Sequence, residues 1–142
     1  AEAVGACLSD EATILREADV ISNHMNLTEE NERFFNYTRF CSMEKHPIFL
    51  NVSRGGSIAE EDLVRALDEG KIRAVGLDVL ETEKPDLIHC ALVGRENVII
   101  TPHAAFYSSR SVEALQRISC RNLTGCLTGH LNQVFRVVNG TS

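Results

Sequence analysis

Runs of positive charge are missing from this chain. Its 14 Lys and Arg stand against 20 Asp and Glu, for a net charge of −6. No cationic cluster offers itself to nucleic acid or to an anionic membrane surface. Long apolar runs are missing too, since no stretch approaches the roughly 20 residues of a membrane span. The opening Ala1-Glu2-Ala3-Val4-Gly5-Ala6 has neither the basic start nor the apolar core of a secretory signal, so a cytoplasmic location is expected. The 5 cysteines, Cys7, Cys41, Cys90, Cys120 and Cys126, include no CxxC pair. That argues against a disulfide framework and against a zinc site, and no metal is expected. They read as reduced, mostly buried thiols. No internal repeat or low-complexity segment is present, and the sequons at Asn51 and Asn122 read as chance matches.

What remains is an ordinary globular composition: 142 residues, 44% hydrophobic and 24% charged, enough to bury a core. Ser9-Asp10-Glu11 offers a cap for a short helix to about Ala18, followed by a strand at Asp19-Val20-Ile21-Ser22. Phe34, Tyr37, Phe40 and Cys41 recur at helical spacing, which predicts a helix from Thr28 to about Met43. Ile48-Phe49-Leu50-Asn51 reads as a buried strand. Ser57 and Glu60 suggest a capping box for a helix through Leu63 and Leu67 that Gly70 closes. Strands are expected over residues 73–78 and 97–100, then a helix from about Arg110 to Cys126 with Val112, Leu115, Ile118 and Leu123 on one face. The tail from His130 to Asn139 reads as irregular. Strands alternating with helices mean an α/β fold with a parallel sheet and crossover connections.

Three segments end apolar runs with polar or ionisable residues: Asn51-Val52-Ser53-Arg54-Gly55-Gly56, Gly76-Leu77-Asp78-Val79 leading to Glu83, and Ile100-Thr101-Pro102-His103. Ligands bind at the carboxyl ends of such strands. An arginine there grips a carboxylate through a two-pronged hydrogen bond. A histidine moves a proton near neutral pH, and a carboxylate beside it fixes its tautomer and favours the imidazolium. Together the three groups suit oxidation of a 2-hydroxy acid or reduction of a 2-keto acid. Glu81 competes with Glu83 for the carboxylate role, and His46, His89 and His130 read as structural or exposed.

From Ala18-Asp19-Val20-Ile21 to Val138-Asn139 the chain resembles the second half of a D-isomer-specific 2-hydroxyacid dehydrogenase. His103-Ala104-Ala105-Phe106-Tyr107-Ser108 is most similar to the branch of the C-terminal-binding-protein corepressors and phosphoglycerate-dehydrogenase-like enzymes. The resemblance implies that Arg54 binds the substrate carboxylate, His103 is the acid/base and Glu83 its partner, with NAD as cofactor. Five residues on from Asp78, as in the family, selects Glu83, although Lys84 intervenes where the family places proline. It further implies a cofactor surface along Met25, Asn26, Leu27 and Thr28, with Val52, Ser53 and Arg54. Asp78 would face the nicotinamide amide, and His103, Ala104, Ala105 and Phe106 would line the ring's pocket, with His24 as a pocket wall. The implied protein is an NAD-dependent enzyme acting on a small 2-hydroxy or 2-keto acid, a homodimer that binds neither nucleic acid nor membrane. The alternatives are an NAD-sensing corepressor-like binding protein and an inert fragment.

One departure stands out. No GxGxxG fingerprint occurs, nor the acidic residue expected some 20 residues beyond it. The chain is therefore expected to be a Rossmann-type doubly wound sheet lacking its first βαβ unit. Residues 1–109 would hold strands 3–6 of a partial NAD-binding domain, and 110–142 a crossover helix and tail. In the order 3-2-1-4-5-6, that assignment separates the strand at Val20 from the one at Phe49 by a gap.

Overall fold

The computed structural model describes residues 2–135 and divides into two compact units, one to Ala105 and one from Phe106. In the first unit, Asp10 starts helix α1 (Glu11–Glu17) by accepting the Thr13 N–H at 2.8 Å. Short apolar runs then form β1 (Val20–Asn23), β2 (Ile48–Asn51), β3 (Ala74–Leu77) and β4 (Val98–Ile100). These make one parallel sheet in the order β1-β2-β3-β4.

The expected gap between the first two strands is absent: Ile21 pairs directly with Phe49. The numbering of the Val20 strand as strand 3 therefore fails. A short strand rich in β-branched residues does not carry its place in the sheet in its own composition, and pairing decides it.

Helix α2 spans only Tyr37–Cys41, so the helix expected from Thr28 is cut short. Helical spacing of Phe34, Tyr37 and Phe40 yields here to a longer-range pairing. Arg33 adopts a φ of 51°, and its N–H bonds to the Gly56 carbonyl at 2.7 Å. The Phe35 N–H bonds to the Ser57 carbonyl at 2.9 Å, and the Ala59 N–H returns to the Phe35 carbonyl at 3.0 Å. Asn36 then caps α2 through the Arg39 N–H. Helix α3 (Glu60–Asp68) starts at Ala59 without a side-chain cap. The capping box expected of Ser57 and Glu60 does not form because both side chains are engaged at the rim of the sheet.

Phe40, Met43, Phe49, Ile58, Leu63, Ile72 and Leu92 are fully buried on one face of the sheet. The rings of Phe35, Phe40 and Phe49 meet edge-on or stacked with centroids 4.8–6.4 Å apart, geometries that aromatic quadrupoles favour. No helix joins β3 to β4. Residues 78–97 run as turns, tied to α3 at the far end where Arg95 pairs with Asp68 at 2.5 Å.

The second unit holds helix α4 (Ser109–Leu127), capped by Ser108, which accepts the Ser111 N–H at 3.1 Å. Of its expected apolar face, Val112 and Ile118 are half-buried, but Leu115 and Leu123 are exposed. A short 3₁₀ turn, Leu131–Gln133, comes next, and the tail beyond residue 135 lies outside the described residues. The cysteines are unpaired, yet four of the five are exposed rather than buried. Cys120 and Cys126 are exposed on α4, and Cys41 ends the shortened α2. No helix among the described residues is long and apolar enough to cross a membrane.

Candidate active site

Strand register levels the carboxyl ends of the sheet. Asn23 sits opposite Asn51, Asn51 opposite Leu77, and Leu77 opposite Ile100. The turns leaving the strands therefore share one rim, and Arg54, Asp78, Glu83 and His103 all line one cavity of about 770 Å³ there. Arg54 and Glu83 are exposed at its mouth. One guanidinium nitrogen of Arg54 leans on the Ser53 carbonyl at 3.0 Å.

Asp78 organises the histidine loop. Its side chain is only 4% exposed. Oδ1 accepts the Thr101 hydroxyl at 2.5 Å and the Ala104 N–H at 2.8 Å, while Oδ2 accepts the Ala105 N–H at 2.8 Å. The His103 N–H donates to the Asp78 carbonyl at 2.8 Å, and His103 is held at a φ of 53°, a left-handed conformation that a non-glycine residue keeps only when its surroundings enforce it. Burial pushes the Asp78 carboxyl up. The hydrogen bonds from Thr101, Ala105 and Ala104, with the charge at His103, outweigh burial and hold it below the ordinary carboxylate value.

The two competing glutamates differ in how the fold holds them. Glu81 and Glu60 clasp each other, each backbone N–H donating to the other's carboxylate at the start of α3, where the helix N-terminus favours negative charge. Glu81 also pairs with Arg33 at 3.5 Å. Glu81 is thus tied into the fold by these contacts, and both it and Glu83 line the cavity. Residues 82–84 are exposed, and Glu83 and His103 line the same cavity.

Gly55 locks the arginine turn against this loop. A Cβ there would stand 1.7 Å from the Leu80 carbonyl oxygen, so the close approach that glycine permits is made to the protein's own backbone.

Of the expected cofactor surface, Met25–Thr28 follow the carboxyl end of β1, and Val52 and Ser53 that of β2. The Met25 N–H bonds to Asn23 Oδ1 at 3.0 Å, the Asn26 carbonyl accepts from Asn31 at 2.6 Å, and the Thr28 N–H bonds to Asn31 Oδ1 at 2.7 Å. Leu27 reaches over Gly56 into the cavity. Val52 is exposed, and Ser53 is tied to Asn51 through its N–H and hydroxyl. His24 is exposed and bonded to the Ser22 hydroxyl at 2.8 Å. Phe106 belongs to the second unit, edge-on to Tyr107.

Three buried residues went unread as parts of the site: Asn23, Asn51 and Ser57. Asn23 Nδ2 donates to Asn51 Oδ1 at 3.1 Å and to Ser57 Oγ at 2.8 Å. The signal was an asparagine ending each of two successive apolar strands.

Comparison with known proteins bears on what this rim does. Residues 1–105 match the family model of the D-isomer specific 2-hydroxyacid dehydrogenase NAD binding domain. A hydroxypyruvate reductase of Blautia hydrogenotrophica is 41% identical over 82% of this chain and 36% of its own length. A D-lactate dehydrogenase of Streptococcus pyogenes is 37% identical over 71% of this chain and 34% of its own. The chain thus spans about a third of the length of these relatives. Among solved structures, D-lactate dehydrogenase from Aquifex aeolicus, complexed with NAD and lactic acid, superposes with a TM-score of 0.89 at 30% identity, covering 99% of this chain and 47% of that one.

Proposed function

The chain belongs to the D-isomer-specific 2-hydroxyacid dehydrogenase family through its NAD-binding domain, and from that membership we propose that it serves an enzyme exchanging a hydride between NAD and C2 of a small 2-hydroxy acid. The observation that carries this reading is the convergence of Arg54, Glu83 and His103 on one cavity at the carboxyl rim of the sheet.

In this reading Arg54 holds the substrate carboxylate through its fork, fixing C2 and its hydroxyl at the cavity mouth. His103 takes the hydroxyl proton during oxidation and returns it during reduction. Glu83 stabilises the imidazolium. NAD, when bound, supplies the hydride acceptor. The rim suits its nicotinamide end, since Leu27 and Val52 offer apolar surface, Ala104 and Ala105 are small, and Asp78, whose carboxylate is an acceptor, lines the cavity. Met25, Asn26, Thr28 and Ser53 complete that surface in the proposal. Alignment of substrate against the ring supplies much of the rate. Five unpaired cysteines support a reducing, cytoplasmic setting, and we read the parent protein as a homodimer.

The test is turnover by the full-length protein with NADH and a panel of 2-keto acids. His103→Ala is expected to lower kcat by about 10²–10⁴-fold, whereas Arg54→Lys chiefly raises KM for the keto acid. An unchanged KM in Arg54→Lys overturns the carboxylate role. Absent turnover with NADH-dependent dimerisation would point to the corepressor-like alternative.

A further inference from the structure

The main-chain oxygen of Arg54 is gripped from below by the two residues of the rim that are most completely shielded from water. Asn51 Nδ2 donates to it at 3.1 Å and Ser57 Oγ at 2.7 Å, with the Ser57 N–H at 3.4 Å. Both side chains are 0% exposed. Asn23, 3% exposed, cross-links the two donors by giving one hydrogen bond to each, and its own oxygen holds the Met25 N–H. Asn51 Oδ1 also carries the N–H and hydroxyl of Ser53. No buried side-chain polar atom is left unpaired among the described residues.

A fully satisfied buried network of this kind has one low-energy arrangement, since moving any member leaves another unpaired at a cost. What it fixes is the turn that presents the exposed Arg54 guanidinium. We infer that Ser57 and Asn51, cross-linked by Asn23, are positioning residues that set the aim of Arg54 at the substrate carboxylate. The same network reaches the Met25 and Ser53 turns, so the two sides of the rim are referenced to one buried point. Sequence spacing gives Ser57 a different role, that of a helix cap, which α3 does not use.

The inference rests on the reading of Arg54 as the carboxylate clamp, and the test separates the two. In the full-length protein, Ser57→Ala, Arg54→Lys and their double variant are assayed with NADH and pyruvate or hydroxypyruvate, whichever is turned over. Ile72→Val serves as a control, a remote buried residue whose loss of one methyl lowers stability without touching the rim.

Loss of one hydrogen bond on the Arg54 carbonyl is expected to raise the keto-acid KM about 3–10-fold. The NADH KM and kcat should move less. In the double variant the loss should be smaller than the product of the two single effects, because a lysine has no fork left to aim. Ser57→Cys, with similar volume and a weaker donor, should fall between wild type and Ser57→Ala, and it replaces Ser57→Ala if that variant does not fold. The inference is overturned if Ser57→Ala lowers Tm as Ile72→Val does while leaving KM unchanged, or if the single effects multiply. If Arg54→Lys alone leaves KM unchanged, the clamp reading itself fails.

Discussion

A buried carboxylate that accepts hydrogen bonds from a loop titrates together with that loop. The Asp78 carboxyl is depressed in the fold by Thr101, Ala105 and Ala104, against the opposing push of burial. Its stabilisation is therefore fully present above the ordinary carboxylate value of 3.8 and is lost as pH falls through the lower folded value. Residues 101–105 should loosen in acid before the rest of the core does. Amide exchange of Ala104 and Ala105, tracked from neutral pH downward, is expected to accelerate below about pH 4. Asp78→Asn should remove that pH dependence and cost about 1.5–3 kcal/mol at neutral pH, since an amide nitrogen then confronts an N–H. An acid profile unchanged in Asp78→Asn would mean that another group governs the loop. The place of His103 and Arg54 on the rim was legible in the sequence because each comes just after an apolar strand. Asn51 was not, since a buried asparagine and an exposed one are spelled alike.

At the scale of elements, the arginine turn and the β3–β4 connection behave as one body. Gly55 permits the contact, and α3 anchors the connection at Glu81 and Arg95. Gly55→Ala is expected to cost about 1–3 kcal/mol and to weaken keto-acid binding together with stability, measured as Tm and KM on the same preparation. Phe49→Ala, in the aromatic cluster beneath the rim, should cost about 3–5 kcal/mol while leaving KM of the folded fraction unchanged. An equal change in KM for both would dissolve the distinction between turn and core. Strands β2, β3 and β4 were legible from short apolar runs ending in turn chemistry, and α3 from its apolar spacing and its terminating Gly70, whose φ is 68°. The segment from Thr28 to Met43 was not. Local spacing satisfied a helix, but residues 33–35 are held out of it by hydrogen bonds to residues 56–59 and by the Phe35–Ile58 bridge, a distant partner that no window along the chain contains.

For the whole molecule, the arrangement of strands matters more than their number. Because β1 pairs with β2, the sheet has no internal gap, and its unpaired edges lie on the outer sides of β1 and β4 among the described residues. One face is buried, whereas on the other Val20 is 54% and Ile99 69% exposed, unusual for a parallel sheet, which is normally covered on both faces. A 142-residue polypeptide with these features is expected to associate through open edges and faces, giving dimers or larger species by light scattering. It should also fail to bind NAD measurably by calorimetry. The rim offers the nicotinamide end a few contacts in a cavity open to water. The sequence has no glycine-rich turn to bring backbone N–H groups and a helix dipole to a pyrophosphate. Micromolar affinity in a clean monomer would show that the contacts along Met25–Thr28 and Asp78–Ala105 suffice on their own, and that phosphate recognition contributes less here than its physical chemistry implies.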